Sequence, residues 1–167
     1  MNMDTYNEDL LVKPVGYVES KYQHFDEVPH PHGDKGWNED ISTIVLSPEH
    51  AKKISGLNGY SHIIVLFWIH KSSGWKMPKH SHRPNHVKVF ATRMPVRPNP
   101  IGLSVVKLQD ISIDSGKIVV RGLDALDKTP ILDIKPYIPD FDSYPEASLP
   151  EWVEGHLREH HHQHHTH

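Results

Sequence analysis

Residues 93–102 read Arg93-Met94-Pro95-Val96-Arg97-Pro98-Asn99-Pro100-Ile101-Gly102 and place two guanidinium groups, one carboxamide and three prolines within ten positions. Proline fixes φ and pushes the residue before it toward extended conformations, so this segment is stiff before any tertiary contact forms. A stiff loop can hold arginines where they meet a carboxylate or a phosphate with parallel donors. Asn99 can both donate and accept, and Gly102 lets a ligand or another part of the chain approach the backbone closely. The same residues would equally serve a rigid loop whose arginines pair with structural carboxylates. The chemistry of the loop alone leaves both readings open.

Charge around this loop is uneven. The formal net charge is only -3, yet no Asp or Glu occurs between His50 and Gln109, a stretch that carries Lys52, Lys53, Lys71, Lys76, Lys79, Arg83, Lys88, Arg93, Arg97 and Lys107. An uncompensated cationic block suits a polyanion such as nucleic acid. Acidic residues from the flanking halves, folded over it, would cancel that field. With no cysteine in the chain, a disulfide framework, a thiolate zinc site and a cysteine nucleophile are excluded, which favours a cytoplasmic setting. The polar, acidic stretch Met1 to Asp9 lacks the parts of a secretory signal, and the longest apolar run, Ile63 to Ile69, falls far short of the roughly 20 residues that cross a bilayer. A soluble protein without a membrane span is expected. Six histidines follow Glu159 with no apolar periodicity; they predict a disordered tail with incidental divalent-metal affinity rather than a built metal site.

The elements that must position these groups follow from the hydrophobic pattern. Short β-branched or apolar runs predict strands at Val12–Val18, Ser42–Leu46, Ile63–Trp68, Val87–Ala91, Ser104–Leu108, Ile118–Arg121 and Ile131–Ile134. Ile63–Trp68 is continuously apolar and reads as a strand buried on both faces. Helices are predicted at Pro48–Ile54 behind Ser47 as N-cap, and at Glu151–Glu159 behind the capping-box spacing Ser148-Leu149-Pro150-Glu151. Seven short strands and few helices imply an all-β barrel or sandwich, or a β-rich domain with peripheral helices. No Gly-rich strand-to-helix turn of the dinucleotide or P-loop kind is present.

Three further stretches accompany the proline loop: Gly56-Leu57-Asn58-Gly59-Tyr60-Ser61-His62, Gly122-Leu123-Asp124-Ala125-Leu126-Asp127, and Thr129-Pro130-Ile131-Leu132-Asp133-Ile134-Lys135-Pro136-Tyr137. With Ala91-Thr92-Arg93 through Leu103-Ser104, close to the pattern T-R-S-P-x-R-P-N-P-I-G-L-S, they resemble the TsaA/TrmO family, in the same order and over about residues 12–147. The resemblance implies a mainly β, single β-barrel-like domain with short peripheral helices. Its expected layout is a polar tail at 1–9, the barrel domain at 10–147, a C-terminal helix at 148–158 and a His-rich disordered tail at 159–167. It further implies S-adenosyl-L-methionine as cofactor, methyl transfer to N6 of threonylcarbamoyl-adenosine beside the anticodon of tRNA, and a homodimer.

Carried onto this sequence, the family's cofactor positions fall on Arg93 and Leu103, on Asp124, Ala125, Leu126 and Asp127, and on His70 and Lys71. The family's Pro-Arg-Gln after the first strand is replaced by Val28-Pro29-His30-Pro31-His32-Gly33-Asp34, which puts Pro29 and His30 at that place. A fixed cation is thereby exchanged for an imidazole that is charged only when protonated. That exchange keeps two alternatives in play: methylation of a different, small acceptor, and a non-catalytic S-adenosylmethionine-binding module. Arg97 and Asn99 on the loop, with Lys76, Lys79, Arg83 and Lys88 ahead of it, are the expected tRNA contacts, and Trp75, His80, His82 and His86 are available for stacking or hydrogen bonds. Methyl transfer from a sulfonium needs alignment and no metal. The acceptor nitrogen still carries a proton, so a base would help. Candidates are Asp133, Lys135 and Tyr137, which could instead form a structural ion pair and a packed ring.

Overall fold

The computed structural model describes residues 9–29, 40–76 and 83–162, with backbone alone for His156 and residues 158–162. The expected site residues His30 and Lys79, with His32, Gly33, Asp34, His80 and His82, lie outside the described residues.

Six strands, β1 (Gly16–Glu19), β2 (Ile41–Leu46), β3 (His62–Trp68), β4 (Ile101–Ser112), β5 (Lys117–Arg121) and β6 (Pro130–Pro136), close into a barrel in the order β1-β2-β5-β4-β3-β6. Every pairing is antiparallel. Side chains alternate across each strand, and the inward set Val18, Ile44, Ile63, Val65, Phe67, Val106, Ile118, Val120 and Ile131 fills the interior. Burying one such aliphatic side chain contributes on the order of 1.5–3 kcal/mol. The short β1 is held further by the Val18 amide and, just before the strand, the Val15 amide, which donate to the Thr129 and Ile131 carbonyls at 2.9 and 2.8 Å. Gly16 is required where β1 crosses β2: a Cβ there would lie 2.3 Å from the Val45 carbonyl oxygen.

Four sequence expectations change. β3 is buried on one face only, because a single-layered barrel has one interior; Ile64 and Leu66 are half-buried outside it and Trp68 is exposed. Val87–Ala91 is not a strand: Val89–Ala91 forms a single 3-10 turn, its following amides satisfied locally by Ala91 to Lys88 O and Thr92 to Val89 O, so among the described residues six strands make the sheet instead of seven. Pro48–Ile54 forms turns ending in the 3-10 segment Ala51–Ile54, because the Ser47 hydroxyl donates to the Val15 carbonyl at 3.2 Å instead of capping a helix. The first strand starts at Gly16 rather than Val12, leaving Leu10 and Leu11 exposed.

Among the described residues two helices lie outside the barrel. The short α1 (Pro139–Asp142) has proline in its first turn, and α2 (Glu151–His162) carries the expected C-terminal helix three residues further, into the His-rich stretch.

Candidate cofactor pocket

Antiparallel order brings the β1–β2, β3–β4 and β5–β6 connections to the same end of the barrel. Between them opens a pocket of about 740 Å³, within the roughly 300–1,000 Å³ usual for small-ligand sites. The β3–β4 connection supplies His70, Lys71, Trp75 and the wall Thr92-Arg93-Met94-Pro95 with Arg97. Residues Ile101 to Val105 of β4 continue that wall, Asp124, Ala125, Leu126 and Thr129 come from the β5–β6 connection, and Phe25, Val28 and Pro29 close the side.

The proline loop holds itself in shape. Arg97 Nη1 donates to the Thr92 and Met94 carbonyls at 2.9 and 3.1 Å, and Arg93 Nη2 donates to the Leu103 carbonyl at 3.0 Å. Both guanidinium groups therefore tie the loop while keeping further N–H donors, of which each has five. At the base of the wall, Gly102 lets the Phe67 ring lie against the backbone; a Cβ there would come within 2.2 Å of the ring.

Asp124 carries the pocket wall's only negative charge among the described residues. The Ser104 hydroxyl, buried on the inner face of β4, donates to one of its carboxylate oxygens. Asp127 works differently and is not part of the wall. Its carboxylate accepts the Ser20 amide at 3.0 Å and its own amide donates to the Tyr22 carbonyl at 2.7 Å, which latches the β1–β2 connection to the β5–β6 connection. The Ser20 amide is the largest cause holding the Asp127 carboxyl below its ordinary value, with Lys128 adding to it. The buried Tyr22 donates its phenol to Asp40, which also pairs with Lys21 at 2.6 Å, and burial followed by Asp40 pushes that phenol's pKa upward. The 3-10 turn Phe25–Glu27 is fastened by the Glu27 carboxylate, which accepts the Gln23 and His24 amides at 2.5 and 3.1 Å.

His70 is half-buried, with Nδ1 3.4 Å from the Thr129 hydroxyl. Burial, and then the neighbouring Lys71, hold the imidazole below its ordinary value. Lys71 itself donates to the Gln23 carbonyl at 3.2 Å.

Of the residues expected at the cofactor, Pro29, His70, Lys71, Arg93, Leu103, Asp124, Ala125 and Leu126 share one wall. Of those expected at tRNA, Arg97 and Trp75 do among the described residues. Asn99, Lys76 and Lys88 are exposed outside it, and Arg83 points Nη1 at the Met94 sulfur at 3.6 Å. The candidate bases lie elsewhere. Asp133 and Lys135 pair at 2.8 Å on the outer face of β6, opposite Leu66 and Ile64. Tyr137 sits at the far end of the barrel, edge-on to His62. Sequence reasoning missed Phe25, Phe67, Ser104 and Thr129. Ser104 had a usable signal, a hydroxyl at an inward position between Gly102 and Val106.

A profile of the tRNA-methyltransferase O N-terminal domain matches residues 17–143. A protein of Methanothermobacter thermautotrophicus, named as a probable S-adenosyl-L-methionine-binding protein, is 37% identical over 139 residues, covering 81% of this chain and 95% of its own. The tRNA (adenine(37)-N6)-methyltransferase of Escherichia coli is 34% identical over 80% of this chain, which spans 60% of that enzyme. The crystal structure of TrmO from Pseudomonas aeruginosa superposes with a TM-score of 0.71 at 33% identity, covering 84% of this chain and 61% of that one.

Proposed function

Because this chain belongs to the tRNA-methyltransferase O family, we propose that it binds S-adenosyl-L-methionine in the pocket and methylates N6 of threonylcarbamoyl-adenosine beside a tRNA anticodon. One observation carries this reading: the proline loop, Leu103 and Asp124–Leu126 converge on a single pocket at the loop-bearing end of the barrel.

The donor set fits that cofactor. Arg93 offers a guanidinium to the amino-acid carboxylate. Asp124, oriented by Ser104, offers a carboxylate to an ammonium or to ribose hydroxyls. Phe25, Phe67, Leu103 and Ala125 give an apolar lining for a purine ring. When bound, the cofactor supplies a methyl group already activated by its sulfonium charge. The protein's work is then to hold acceptor and methyl in line and to exclude water, the positional part of catalysis.

Around the mouth, Lys71, Arg93 and Arg97 wall the pocket and Lys76 and Lys88 are exposed nearby in sequence, with no acidic residue between His50 and Gln109. This field suits the phosphates of a tRNA stem-loop, which position rather than specify. The half-buried Trp75 on the wall offers a face on which an extruded base can stack.

The reading includes a homodimer. Outside the barrel Ile64, Leu66 and Trp68 stand opposite Val105, Leu103 and Ile101, and Trp68, Ile101, Leu103 and Val105 are exposed by 37–47%. Such a contiguous apolar face suits a second copy, and Leu103 and Val105 join it to the pocket wall. Among the described residues no helix is long and apolar enough to cross a membrane, and the cytoplasm is the proposed setting.

The test is incubation with S-adenosylmethionine and tRNA verified to contain the threonylcarbamoyl group, with the digested nucleosides read by mass spectrometry. A mass gain of one methyl on the modified adenosine supports the reading. Calorimetric binding of the cofactor with no methylated nucleoside overturns it.

A further inference from the structure

We infer that His70 receives the proton that the acceptor nitrogen loses as it is methylated, an assignment that rests on the function proposed above. The step balances without a further reagent. The nitrogen lone pair forms the new N–C bond while the sulfur–methyl pair returns to sulfur. The N–H pair stays on nitrogen, and the released proton passes to the imidazole, which ends as imidazolium.

Elimination along the wall points to this group. Among the described residues the ionisable side chains there are His70, Lys71, Arg93, Arg97 and Asp124. Guanidinium groups do not give up their protons in proteins, and an ammonium has no lone pair to offer. Asp124 accepts from Ser104 and carries the only negative charge of the wall among the described residues, which suits the ligand's cationic and hydroxyl groups. Asp133, Lys135 and Tyr137 lie outside the pocket.

His70 is also positioned for the task. Its partner Thr129 is 2% exposed and fixed on both sides, donating its amide to the Leu126 carbonyl at 3.2 Å and accepting the Val18 amide at 2.9 Å. In the tautomer that has Nδ1–H donate to the Thr129 hydroxyl oxygen, Nε2 keeps its lone pair, and it has no protein partner among the described residues. A second ring nitrogen fixed in this way sets which one carries chemistry. Lys71, Arg93, Arg97 and Asp124 line the same pocket, and of these charges Lys71 is the one that bears on the ring. Burial, and then Lys71, disfavour the imidazolium and leave the resting ring ready to accept.

The experiment compares wild type with His70→Gln and His70→Ala. Cofactor affinity is measured by calorimetry, single-turnover methylation of verified tRNA between about pH 5.5 and 8.5, and the wild-type ring titration by NMR in the ligand-free protein. General-base removal is expected to cost about 10²–10⁴-fold in the single-turnover rate. Cofactor affinity should stay within about tenfold of wild type, the acid limb of the pH–rate profile should disappear, and added imidazole should restore part of the rate to His70→Ala. The ring should protonate below the ordinary imidazole value. A His70→Gln rate within about threefold of wild type overturns the inference, as does a rate loss matched by lost cofactor binding, an unchanged acid limb, or a ring already charged at pH 7. Inactive wild-type protein overturns the functional reading and this inference together, whereas active wild type with active His70→Gln overturns the inference alone.

Discussion

Gly102→Ala tests whether the close approach of β4 to Phe67 shapes the pocket. Gly102 faces Phe67 directly across the β3–β4 pairing. An added Cβ would stand 2.2, 2.4 and 2.8 Å from Cε2, Cζ and Cδ2 of the ring. Carbon–carbon contacts are optimal near 3.5–4.0 Å, so the ring edge must retreat by more than about 1 Å. Phe67 is 5% exposed and packed into the core. Its ring also lines the pocket, so the open direction for retreat is into the cofactor's space. Overpacking of this kind costs about 1–3 kcal/mol, which for a chain of this size lowers Tm by about 2–12 °C. Thermal unfolding and cofactor calorimetry measure both effects. Combining Gly102→Ala with Phe67→Leu removes the colliding edge, and the double-mutant cycle should show a favourable coupling of at least about 0.5 kcal/mol. A Gly102→Ala protein that melts within about 1 °C of wild type and binds S-adenosylmethionine equally well would refute the geometry.

Three other perturbations follow from the site. Ser104→Ala frees Asp124, and loss of a hydrogen bond to a charged group, about 1.5–3 kcal/mol, should weaken cofactor binding roughly 10- to 150-fold; calorimetry that finds less than a threefold change refutes the orienting role. The Asp127 carboxyl has a lowered folded-state value, so its contribution is full above its unfolded value, near 3.9, and is lost as pH falls through the folded one. Asp127→Asn should therefore reduce stability at pH 6 and flatten the acid limb of a stability–pH profile below about pH 4; an unchanged limb by urea unfolding would show that the latch contributes nothing. Lys135→Ala breaks an exposed pair, with side chains 58% and 46% accessible, and should change stability by less than about 1 kcal/mol while leaving cofactor affinity intact. A methylation rate that falls more than tenfold in that variant would return Lys135 to the reaction.

Local chemistry made some parts of this molecule legible and hid others. β2, β3, β5 and β6 fall within a residue or two of their apolar runs because inward alternation in a barrel leaves a direct trace in sequence. Val87–Ala91 misled because β-branched composition does not reveal whether a ladder partner exists; with Pro84 before it and the proline loop after it, the chain satisfies its amides by turns. Ser47 misled for a related reason, since its hydroxyl serves the Val15 carbonyl, 32 residues away. At the site, Arg93, Leu103 and Asp124 stand out through their motifs. His70 looked like one more cofactor contact, because what distinguishes it, the buried Thr129 beside Nδ1, joins positions 59 residues apart. Asp133, Lys135 and Tyr137 looked catalytic because they follow an apolar run. The register shift that skips Leu132 in the β3–β6 pairing, which no motif encodes, places the first two outside the barrel.

Barrel closure has a consequence for how the protein matures. β6 inserts between β1 and β3, so Gly16 must find Ile131, more than a hundred positions along the chain. Loop-closure entropy makes such pairing late and slow. Until it happens β1 and β3 each present a bare edge open to pairing with another chain. Asp124–Leu126 and Thr129 arrive on that same closing segment, so the pocket comes into being only as the barrel shuts. A ligand that recognises the shut form alone shifts the balance toward it by mass action. S-adenosylmethionine present during synthesis or refolding should therefore raise the yield of native protein and suppress edge-to-edge aggregation, acting as a folding ligand before it acts as a methyl donor.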